Sequence, residues 1–314
     1  MANANNQWLR KLGLIVGNGE KVLDLSQLEV EFVVRAGDFN APNTAVIRIF
    51  NPQPSTIQSI QTEYKQVSLQ AGYQTGNYGI IFSGDIMQVK TGKLESTTRY
   101  IDIMAADGDL FHSYSFISTT IAPNQPRSAE VKAIKQAAEA AGIKADASAD
   151  TGLASTGGVL PRGKVLFGLG STIVNDAAAR AGATWWIENG ALKAAPLTGY
   201  LPGQAVIINS TTGQIGVPEA TEQGVSVRTL LNPLIKIGNT IKLNNNEITA
   251  AQANNFSAGF PNYQSKAYFA NLDPAGLYTV MVVEHSGGIR KNPWYTDIVA
   301  LAIDQSTNKV QAYG

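Results

Sequence analysis

The sequence predicts a β-rich protein of the α+β class, in which two antiparallel β-barrel domains flank a small α/β insert. Many short segments alternate apolar and polar residues with a period of two, which is typical of half-buried strands. These segments occupy the first and last parts of the 314-residue chain, and segments with helical spacing lie between them. Gly, Pro and Asn residues separate the segments and indicate turns.

Length and composition limit the number of domains and the kinds of partner. A chain of 314 residues is expected to form two or three domains, and a hydrophobic share of 44% is enough for packed cores. Charged residues make up only 15% and the formal net charge is zero. This argues against a nucleic-acid-binding protein, which needs a basic surface. Such sparse charge favours a surface largely covered by other protein chains.

The sequence also limits chemistry and location. With no cysteine, disulfides and thiolate chemistry are excluded. The N-terminal residues show no charged region followed by an apolar run, so we expect no signal peptide. No uncharged apolar run approaches roughly 18 residues, so we expect no membrane insertion. The expectation is a soluble, multi-domain protein made in the cytosol.

The first predicted domain, residues 1–122, is rich in strands. Alternation marks strands at residues 28–34, 45–50, 67–73, 79–90 and 97–105. The last two are expected to form a hairpin, and Ser55 is expected to cap a short helix. Six or so strands with one helix at a corner suit a small barrel or a closed sheet.

The second predicted domain, residues 123–199, is the α/β insert. Ser128 is expected to be the N-cap of a helix whose apolar residues keep a helical spacing. The stretch from Asp146 to Gly158, rich in small and polar residues, is expected to be a mobile loop. Ser171 is expected to cap a second helix. A hairpin follows, because Asn189-Gly190 is a strong two-residue turn signal.

The third predicted domain, residues 200–314, contains the clearest strand pattern of the chain. Between Gly224 and Asn244, apolar residues alternate with Ser, Arg and Lys residues, and turn-forming residues interrupt the alternation twice. We expect two or three antiparallel strands here, one of them passing through Ile235 and Ile237.

Two further strands, at residues 277–285 and 294–303, complete the third domain. The polar span from Ala250 to Ser265 is expected to be a long loop or arm. No period of 20 to 50 residues is visible, which argues against a solenoid. The first and third domains remain candidates for two diverged copies of one barrel.

One Gly-rich segment, Gly168-Leu169-Gly170, lies between a predicted strand and a predicted helix, where a dinucleotide fingerprint belongs. Glu188 lies near the distance at which an acid would bind a ribose hydroxyl. However, the third glycine is missing, and Asn189-Gly190 turns the Glu188 strand into an antiparallel hairpin. An ordinary capped helix is therefore favoured, and no Walker lysine supports ATP hydrolysis.

The two histidines, His112 and His285, lie far apart in sequence and outside any catalytic motif. His285 follows an apolar strand and is expected at a sheet edge or an interface. No cluster of His, Asp and Glu residues has metal-ligand spacing, so no zinc site is expected.

Two groups of carboxylates are candidates for the acid pair that a glycosidase uses. Asp102, Asp107 and Asp109 cluster in sequence, but Asp107-Gly108-Asp109 is typical of a turn. Glu29 and Glu31 share the solvent face of an amphipathic strand. Neither group predicts a catalytic site.

Two adjacent aromatic pairs, Trp185-Trp186 and Trp294-Tyr295, suggest the alternative function of carbohydrate binding or wall degradation. Adjacent residues on a strand point to opposite faces, so one ring of each pair is expected in a core and the other elsewhere. Burial or subunit contact is favoured over a carbohydrate platform. The residues therefore predict no catalytic, cofactor-binding or metal-binding site, and no enzyme.

Several longer motifs follow one another along most of the chain. In order they include Leu28-Glu-Val-Glu-Phe-Val-Val, Asn43-Thr-Ala-Val-Ile-Arg-Ile-Phe-Asn-Pro, Ile80-Ile-Phe-Ser-Gly-Asp-Ile, Ala181-Gly-Ala-Thr-Trp-Trp-Ile-Glu-Asn-Gly, Ser226-Val-Arg-Thr-Leu-Leu-Asn-Pro and Tyr278-Thr-Val-Met-Val-Val-Glu-His. Each motif is degenerate by itself. Their order resembles the tail baseplate hub proteins of contractile-tailed bacteriophages.

This resemblance implies a homotrimeric structural protein of the virion, with no enzymatic activity and no cofactor. Residues 1–122 and 200–314 would be two tube-type β-barrel domains, so that three subunits present a pseudo-sixfold surface to the hexameric tail tube. A central spike protein would attach below, and baseplate wedge proteins would surround the ring. DNA would pass through the lumen without specific binding. No lysozyme-like or oligosaccharide-fold module is visible, so the spike is expected to be a separate chain.

The resemblance also gives the two loops expected roles. The polar span from Ala250 to Ser265 would reach a neighbouring subunit, and the stretch from Asp146 to Gly158 would make a peripheral contact. The protein would be assembled in the host cytoplasm and reside in the tail baseplate.

Overall fold

The computed structural model describes residues 7–37, 41–94, 97–154, 158–197, 201–221, 224–250 and 275–302. Strands account for 50% of the structure and helices for 19%, which confirms the β-rich class.

The strands, in chain order, are β1 Arg10–Gly17, β2 Val22–Asp24, β3 Val30–Gly37, β4 Asn43–Phe50, β5 Gln66–Tyr73, β6 Tyr78–Lys93, β7 Arg99–Asp107, β8 Phe116–Ile121, β9 Lys144–Ala145, β10 Lys164–Leu169, β11 Ala183–Glu188, β12 Ala191–Pro196, β13 Val206–Ile207, β14 Gln214–Thr221, β15 Gly224–Leu230, β16 Thr240–Lys242, β17 Thr249–Ala250, β18 Leu277–Gly288 and β19 Trp294–Ala302. The α-helices are α1 Pro54–Thr62, α2 Asp109–Tyr114, α3 Ser128–Ala140, α4 Ala147–Leu153 and α5 Gly170–Ala181. A 3-10 helix spans Asn245–Glu247.

One long sheet contains strands from both ends of the chain. Its strand order is β17-β14-β15-β19-β18-β3-β4-β7-β6-β5-β1-β2, with β16 also paired to β18, and β13 to β16. Pairing is antiparallel except at the β14–β17 and β13–β16 pairs. Among the described strands the hydrogen bonding leaves this sheet open, so neither half forms the closed barrel expected from the sequence.

Two groups of five strands within the sheet repeat one arrangement. The order is β3-β4-β7-β6-β5 in the first unit and β14-β15-β19-β18-β16 in the second unit. All pairs within both units are antiparallel. The chain also visits the strands in the same sequence, so β3, β4, β5, β6 and β7 correspond to β14, β15, β16, β18 and β19.

The pairing register repeats together with the strand order. In the first unit Arg48 of β4 lies opposite Asp102 of β7, and in the second unit Arg228 of β15 lies opposite Asp297 of β19. Counting from these pairs aligns β4 with β15, β6 with β18 and β7 with β19 residue by residue, whereas β14 has a register shift between Ile215 and Glu219 that β3 lacks. The two units are therefore built on one strand plan.

A β-bulge occurs at the same place in both units. The ladder between β6 and β7 shifts by one residue at Met87, and the ladder between β18 and β19 shifts by one residue at Met281. The surrounding segments, residues 85–90 and 279–284, read Asp-Ile-Met-Gln-Val-Lys and Thr-Val-Met-Val-Val-Glu. A bulge bends its strand and increases the local twist, so both hairpins bend at the same point.

The apolar faces of the two units cover separate cores. In the first, side chains from β1 and β3 meet although these strands lie at opposite ends of the run β3-β4-β7-β6-β5-β1; Leu14, Phe32 and Ile103 are examples. The sheet must therefore curl around this core. The second unit packs around its own core, which includes Val227 and Ile298.

A third core lies in the middle of the chain, where α3, α4 and α5 pack with β8, β10, β11 and β12. It also takes in Phe111 of α2 and Ile117 of β8, so it begins before the boundary expected at residue 123. Strands β11 and β12 form the predicted hairpin, and Asn189 and Gly190 have φ angles of 52° and 74°. Positive φ at both turn residues matches the tight turn that this dipeptide favours.

The three predicted serine caps are wrong by one or two positions. The N-caps of α1, α3 and α5 are Gln53, Arg127 and Leu169, and none of them makes a side-chain cap hydrogen bond. Helix α1 begins instead with Pro54, whose fixed φ suits a first helical turn. Ser171 lies inside α5 and donates a hydrogen bond to the His112 carbonyl oxygen, 3.0 Å away.

Two predicted backbone segments also differ from the structure. Ile235 and Ile237 lie outside the strands although both are buried, so their alternation reflects burial and not extended pairing. The stretch from Asp146 to Gly158 contains helix α4, because the Asp146 side chain caps it by accepting a hydrogen bond from Ser148 N at 2.9 Å. The polar span from Ala250 to Ser265 lies, beyond Ala250, outside the described residues.

Candidate functional site

The face of the long sheet that points away from the cores carries a row of charges across the first unit. Lys90, Asp102, Arg48 and Glu31 lie opposite one another on β6, β7, β4 and β3, so their signs alternate. Arg48 donates two hydrogen bonds to Asp102, at 2.7 and 2.8 Å. Lys291 forms an ion pair with Glu31.

A second row crosses from the first unit into the second. Arg35, Glu284, Asp297 and Arg228 lie opposite one another on β3, β18, β19 and β15. Arg35 Nε lies 2.8 Å from Glu284 Oε2, and Arg228 binds both oxygens of Asp297 at 2.6 and 3.1 Å. Two like charges directly opposite destabilise a sheet, so the outer arginines offset the repulsion between the central carboxylates.

An aromatic ring completes the same group in each unit. The Arg48 guanidinium lies 4.3 Å from the ring centre of Tyr100, and the Arg228 guanidinium lies 5.5 Å from that of Tyr295. Hydrogen bonds to the paired aspartates raise the pKa of both guanidiniums above the ordinary value. We call the two rows and these rings the charge-paired face. Its three arginines are all engaged by carboxylates of the same sheet.

A buried polar junction lies where the middle core meets the first unit. Asp107, at the end of β7, accepts a hydrogen bond from Gly190 N in the β11–β12 turn, 3.0 Å away. Asn43 Nδ2 donates to the Ile187 carbonyl oxygen at 2.7 Å. Gly108 has a φ of 76°, and a Cβ there would lie 2.5 Å from Ile187 Cδ1. Only glycine fits this close approach.

The junction also reaches the second unit. Glu188 forms ion pairs with Lys193 and with Lys236, each at 3.1 Å, and Lys236 lies in the segment between β15 and β16. A cavity of about 30 Å³ lies between Asp107, Glu188 and His285, which is room for a water molecule. Carboxylates of the junction thus bind the middle core to both units.

Burial controls protonation at the junction. Burial raises the pKa of Asp107 to about 7. Nearby carboxylates raise this pKa further, whereas hydrogen bonds from backbone N–H groups lower it. Burial lowers the pKa of His285 to about 3, with a further contribution from Lys236. His285 lies on β18 between β19 and β3, with Nδ1 2.9 Å from Thr296 Oγ1. The prediction that His285 lies at a sheet edge or an interface is therefore wrong.

The Gly-rich candidate is the start of a helix that packs closely. Strand β10 pairs antiparallel with β8, whereas a dinucleotide fingerprint needs a parallel sheet. A Cβ on Gly170 would lie 3.0 Å from the Phe111 ring, so this glycine serves packing. Of the candidate acids, Asp102 lies in the charge-paired face, Asp107 in the junction, and Asp109 in the first turn of α2. They do not converge on one site.

The aromatic pairs are buried. Trp185 lies in the middle core, stacked on His112 with ring centres 5.0 Å apart, and Trp186 packs with Ile237 on the opposite face of β11. Trp294 packs edge-on against Phe32 in the first core. These tryptophans cannot form a carbohydrate platform, which removes the observation behind that alternative.

An exposed apolar patch covers the outer face of the β8–β10 sheet. Phe116, Val165, Phe167 and Leu169 are 55%, 68%, 72% and 43% exposed. Phe116 and Phe167 make an edge-to-face contact with ring centres 4.9 Å apart. Exposed aromatic clusters of this kind mark protein contact surfaces.

Within the described residues, no group of three or more His, Cys, Asp or Glu residues is placed to hold a metal ion. In the same part of the chain, no helix is long and apolar enough to cross a bilayer.

The charge-paired face was not predicted from the sequence, although a signal for it exists. Arg48 precedes Asn51-Pro52 much as Arg228 precedes Asn232-Pro233, and the pattern Tyr-x-Asp-Ile occurs at Tyr100 and again at Tyr295. Comparing these short matches would have aligned the two units. The junction has no such signal, because it depends on how the middle core docks.

Comparison with known proteins identifies the family. The family described as Baseplate hub gp41 matches residues 44–256, more than half of the chain. No curated protein sequence matches.

Three solved structures share the fold. The 43 kDa tail protein of prophage MuSo2 from Shewanella oneidensis has a TM-score of 0.56 at 8% identity, over 94% of this chain and 97% of that one. The tail protein from Neisseria meningitidis MC58 has a TM-score of 0.55 at 9% identity, over 93% and 96%. The E. coli c3393 protein, a component of the type VI secretion system with structural similarity to the T4 tail proteins gp27 and gp5, has a TM-score of 0.50 at 11% identity, over 88% and 74%.

At these identities the likeness to solved structures establishes the fold alone. The family match, the repeated β-rich units and the tail-protein fold agree with one another. The chain therefore belongs to the baseplate hub gp41 family of phage tail proteins.

Proposed function

We propose that the protein is the central hub of a contractile phage tail baseplate, a homotrimer that joins the sixfold tail tube to a threefold spike and surrounds the genome-ejection channel. The observation that supports this most is the repeat of strand order, register and bulge within one chain. Three chains with two matching units each present six similar units around one axis. Closed cyclic symmetry is the usual arrangement of identical subunits.

The proposed division of labour follows the three parts of the chain. Residues 1–122 and 200–314 contribute the two tube-type modules, and the insert, residues 123–199 together with α2 and β8, stands outside the ring. The apolar patch on β8 and β10 supports a peripheral contact with baseplate wedge proteins. The junction supports a rigid hub, because it ties the insert to both modules.

The charge-paired face is the proposed wall of the channel. A wall that lets DNA slide must not hold phosphates, and phosphate binding requires free Lys or Arg side chains. On this face Arg35, Arg48 and Arg228 already bind carboxylates. A zero net charge for the whole chain agrees with weak interaction.

The remaining partners follow from the same assembly. The tail tube protein would bind above and a separate spike protein below, and the protein would reside in the virion after assembly in the host cytoplasm. The stretch from Asp146 to Gly158 would make peripheral contacts, and the span from Ala250 to Ser265 would reach a neighbouring subunit. No catalysis, cofactor or membrane insertion is part of this proposal.

Native mass spectrometry tests the proposal directly. Three copies of the 33.4 kDa chain give a particle of about 100 kDa. Electron microscopy of that particle should show a ring whose two faces differ, with sixfold features on the side that binds purified tail tube protein. A stable monomer, or a trimer that does not bind tube ends, would contradict the hub function.

A further inference from the structure

The β11–β12 turn joins the middle core to both units at the junction. On the side of the first unit, the turn residue Gly190 donates its backbone N–H to Asp107 Oδ1, 3.0 Å away. On the side of the second unit, Lys236 Nζ lies 3.1 Å from Glu188 Oε1 at the end of β11. The position of this turn therefore decides how the middle core sits on the two units.

Asp107 is a buried carboxyl group that faces other carboxylates, and only 3% of the residue is exposed. The charged and titratable groups on the elements packed around it are Asp85 of β6, Asp109 of α2, Glu188 of β11, Lys193 of β12, Lys236 between β15 and β16, and His285 of β18. Glu188 binds both lysines. Burial lowers the pKa of His285 to about 3, so its ring is neutral near pH 7. An ionised Asp107 would thus be a buried anion beside further anions, which is costly.

The protonation of Asp107 is coupled to the position of the turn. With the turn in place, burial raises the pKa of Asp107 to about 7. The neutral carboxyl group still accepts the hydrogen bond from Gly190 N, and the cavity of about 30 Å³ beside it has room for a water molecule that its O–H can bind. Once the turn is lifted, water reaches the carboxyl group and its pKa returns towards the ordinary value of 3.8. Lifting the turn between these two pH values therefore releases a proton.

We propose that the proton on Asp107 controls how firmly the β11–β12 turn is held, so that the turn lifts from the junction more often as the pH rises. The stabilisation by the protonated side chain is fully present below pH 3.8 and is lost as the pH rises through 7. Linkage between these two pKa values raises the equilibrium constant for lifting about tenfold between about pH 6 and pH 8. Above pH 7 the constant levels off.

This coupling bears on the exposed apolar patch of β8 and β10. The patch lies on the middle core, which the turn fixes to the two units. The proton on Asp107 therefore sets how firmly this contact surface is held. The inference does not depend on the homotrimer proposed above, because every group in it belongs to one chain.

Hydrogen exchange of the assembled wild-type protein, followed by mass spectrometry between about pH 5 and pH 8, tests the proposal. The amides of Asn189 and Gly190 bind the Asp107 carboxyl group. After correction for the intrinsic exchange rate, their protection should fall about tenfold between about pH 6 and pH 8. The ladder between β1 and β5, which contains none of these residues, should keep its protection, because the opening is local.

Three variants assign the effect to one carboxyl group. Asp107→Asn keeps the acceptor for Gly190 N but cannot ionise, so the pH dependence should disappear. The matched control is Asp109→Asn, which removes a carboxylate two residues away, where it accepts a hydrogen bond from Ser113 Oγ at 3.2 Å. This control should keep the tenfold change. Glu188→Gln removes a carboxylate that raises the pKa of Asp107, so the levelling off should move below pH 7.

Equal protection of the turn at about pH 6 and pH 8 in the wild type would overturn the proposal. A tenfold change that persists in Asp107→Asn, or disappears in Asp109→Asn, would also overturn it. Should Asp107→Asn fail to fold, an unmoved pH profile in Glu188→Gln decides against Asp107. Loss of protection in the β1–β5 ladder together with the turn would mean that the proton controls unfolding of the whole chain, which contradicts a local opening.

Discussion

Removing two carboxylates from the charge-paired face should turn it into a surface that holds DNA. Asp102 and Asp297 each accept two hydrogen bonds from an arginine, Arg48 and Arg228. In D102N/D297N the side chains keep their shape, but each guanidinium loses the carboxylate that binds it through two hydrogen bonds. The net charge of the chain rises from zero to plus two. Each freed guanidinium can then bind a phosphate.

The size of the effect follows from counterion release. Each phosphate contact steepens the plot of log K against log salt by about 0.9. Two freed arginines per chain should therefore add about 1.8 to that slope. This corresponds to roughly a tenfold extra loss of affinity between about 50 and 200 mM salt. The variant should still fold, because such partly exposed ion pairs are worth about 1 kcal/mol or less.

Fluorescence anisotropy with a short labelled duplex, measured at several salt concentrations, gives the slope. The matched control is E63Q/D150N, which frees Lys21 and Lys135 and changes the net charge equally, away from the charge-paired face. Equal DNA binding by the two double variants would mean that net charge, and not the position of the freed cations, determines DNA binding. No gain in D102N/D297N would refute the assignment of this face as the channel wall.

Three further variants test the junction and the apolar patch. The pKa of Asp107 in the folded protein, about 7, exceeds the unfolded value of 3.8. The protonated Asp107 side chain therefore stabilises the fold fully below pH 3.8, and this stabilisation is lost as the pH rises through 7. In urea titrations at pH 8, D107N should therefore be more stable than the wild type by up to about 4 kcal/mol, and the difference should vanish near pH 3. A variant less stable than the wild type at pH 8 would contradict this expectation. G108A should lose about 2–4 kcal/mol of unfolding free energy, because its Cβ would clash with Ile187. The control G19A also has a positive φ but open space around it, and should lose only about 1 kcal/mol. Equal losses in the two variants would refute the steric argument. F167S should change the free energy of unfolding by less than about 0.5 kcal/mol, because the Phe167 ring is 72% exposed. The same variant should bind less of a hydrophobic dye. Unchanged dye fluorescence would count against the patch as a contact surface.

Local patterns in the sequence were sufficient for most strands and for one turn. Val30, Phe32 and Val34 occupy every second position and are buried as expected, because a strand with one buried face needs that period. The turn at Asn189-Gly190 was predictable because few other residues accept two successive positive φ angles. Such features depend on a residue and its immediate neighbours.

Features that depend on distant partners were not predictable in the same way. Nothing in β18 reveals that its second half pairs with β3, since any exposed edge of matching length would serve. The buried Ile235 and Ile237 resembled a strand because burial was mistaken for extended pairing. In the candidate site, the Arg and Tyr-x-Asp-Ile patterns of the charge-paired face were readable as a repeat. The burial of Asp107 was not, because it arises only when the middle core docks.

The seven-residue ladder between β18 and β3 has a mechanical consequence. A force along the strand axes loads all hydrogen bonds of this ladder at once, whereas a force that separates the two strands from one end breaks the bonds one after another. The two units joined by this ladder therefore resist sliding along each other much more than separation from one end. Force directed along these strands would therefore meet a seam with high shear strength at the middle of the chain.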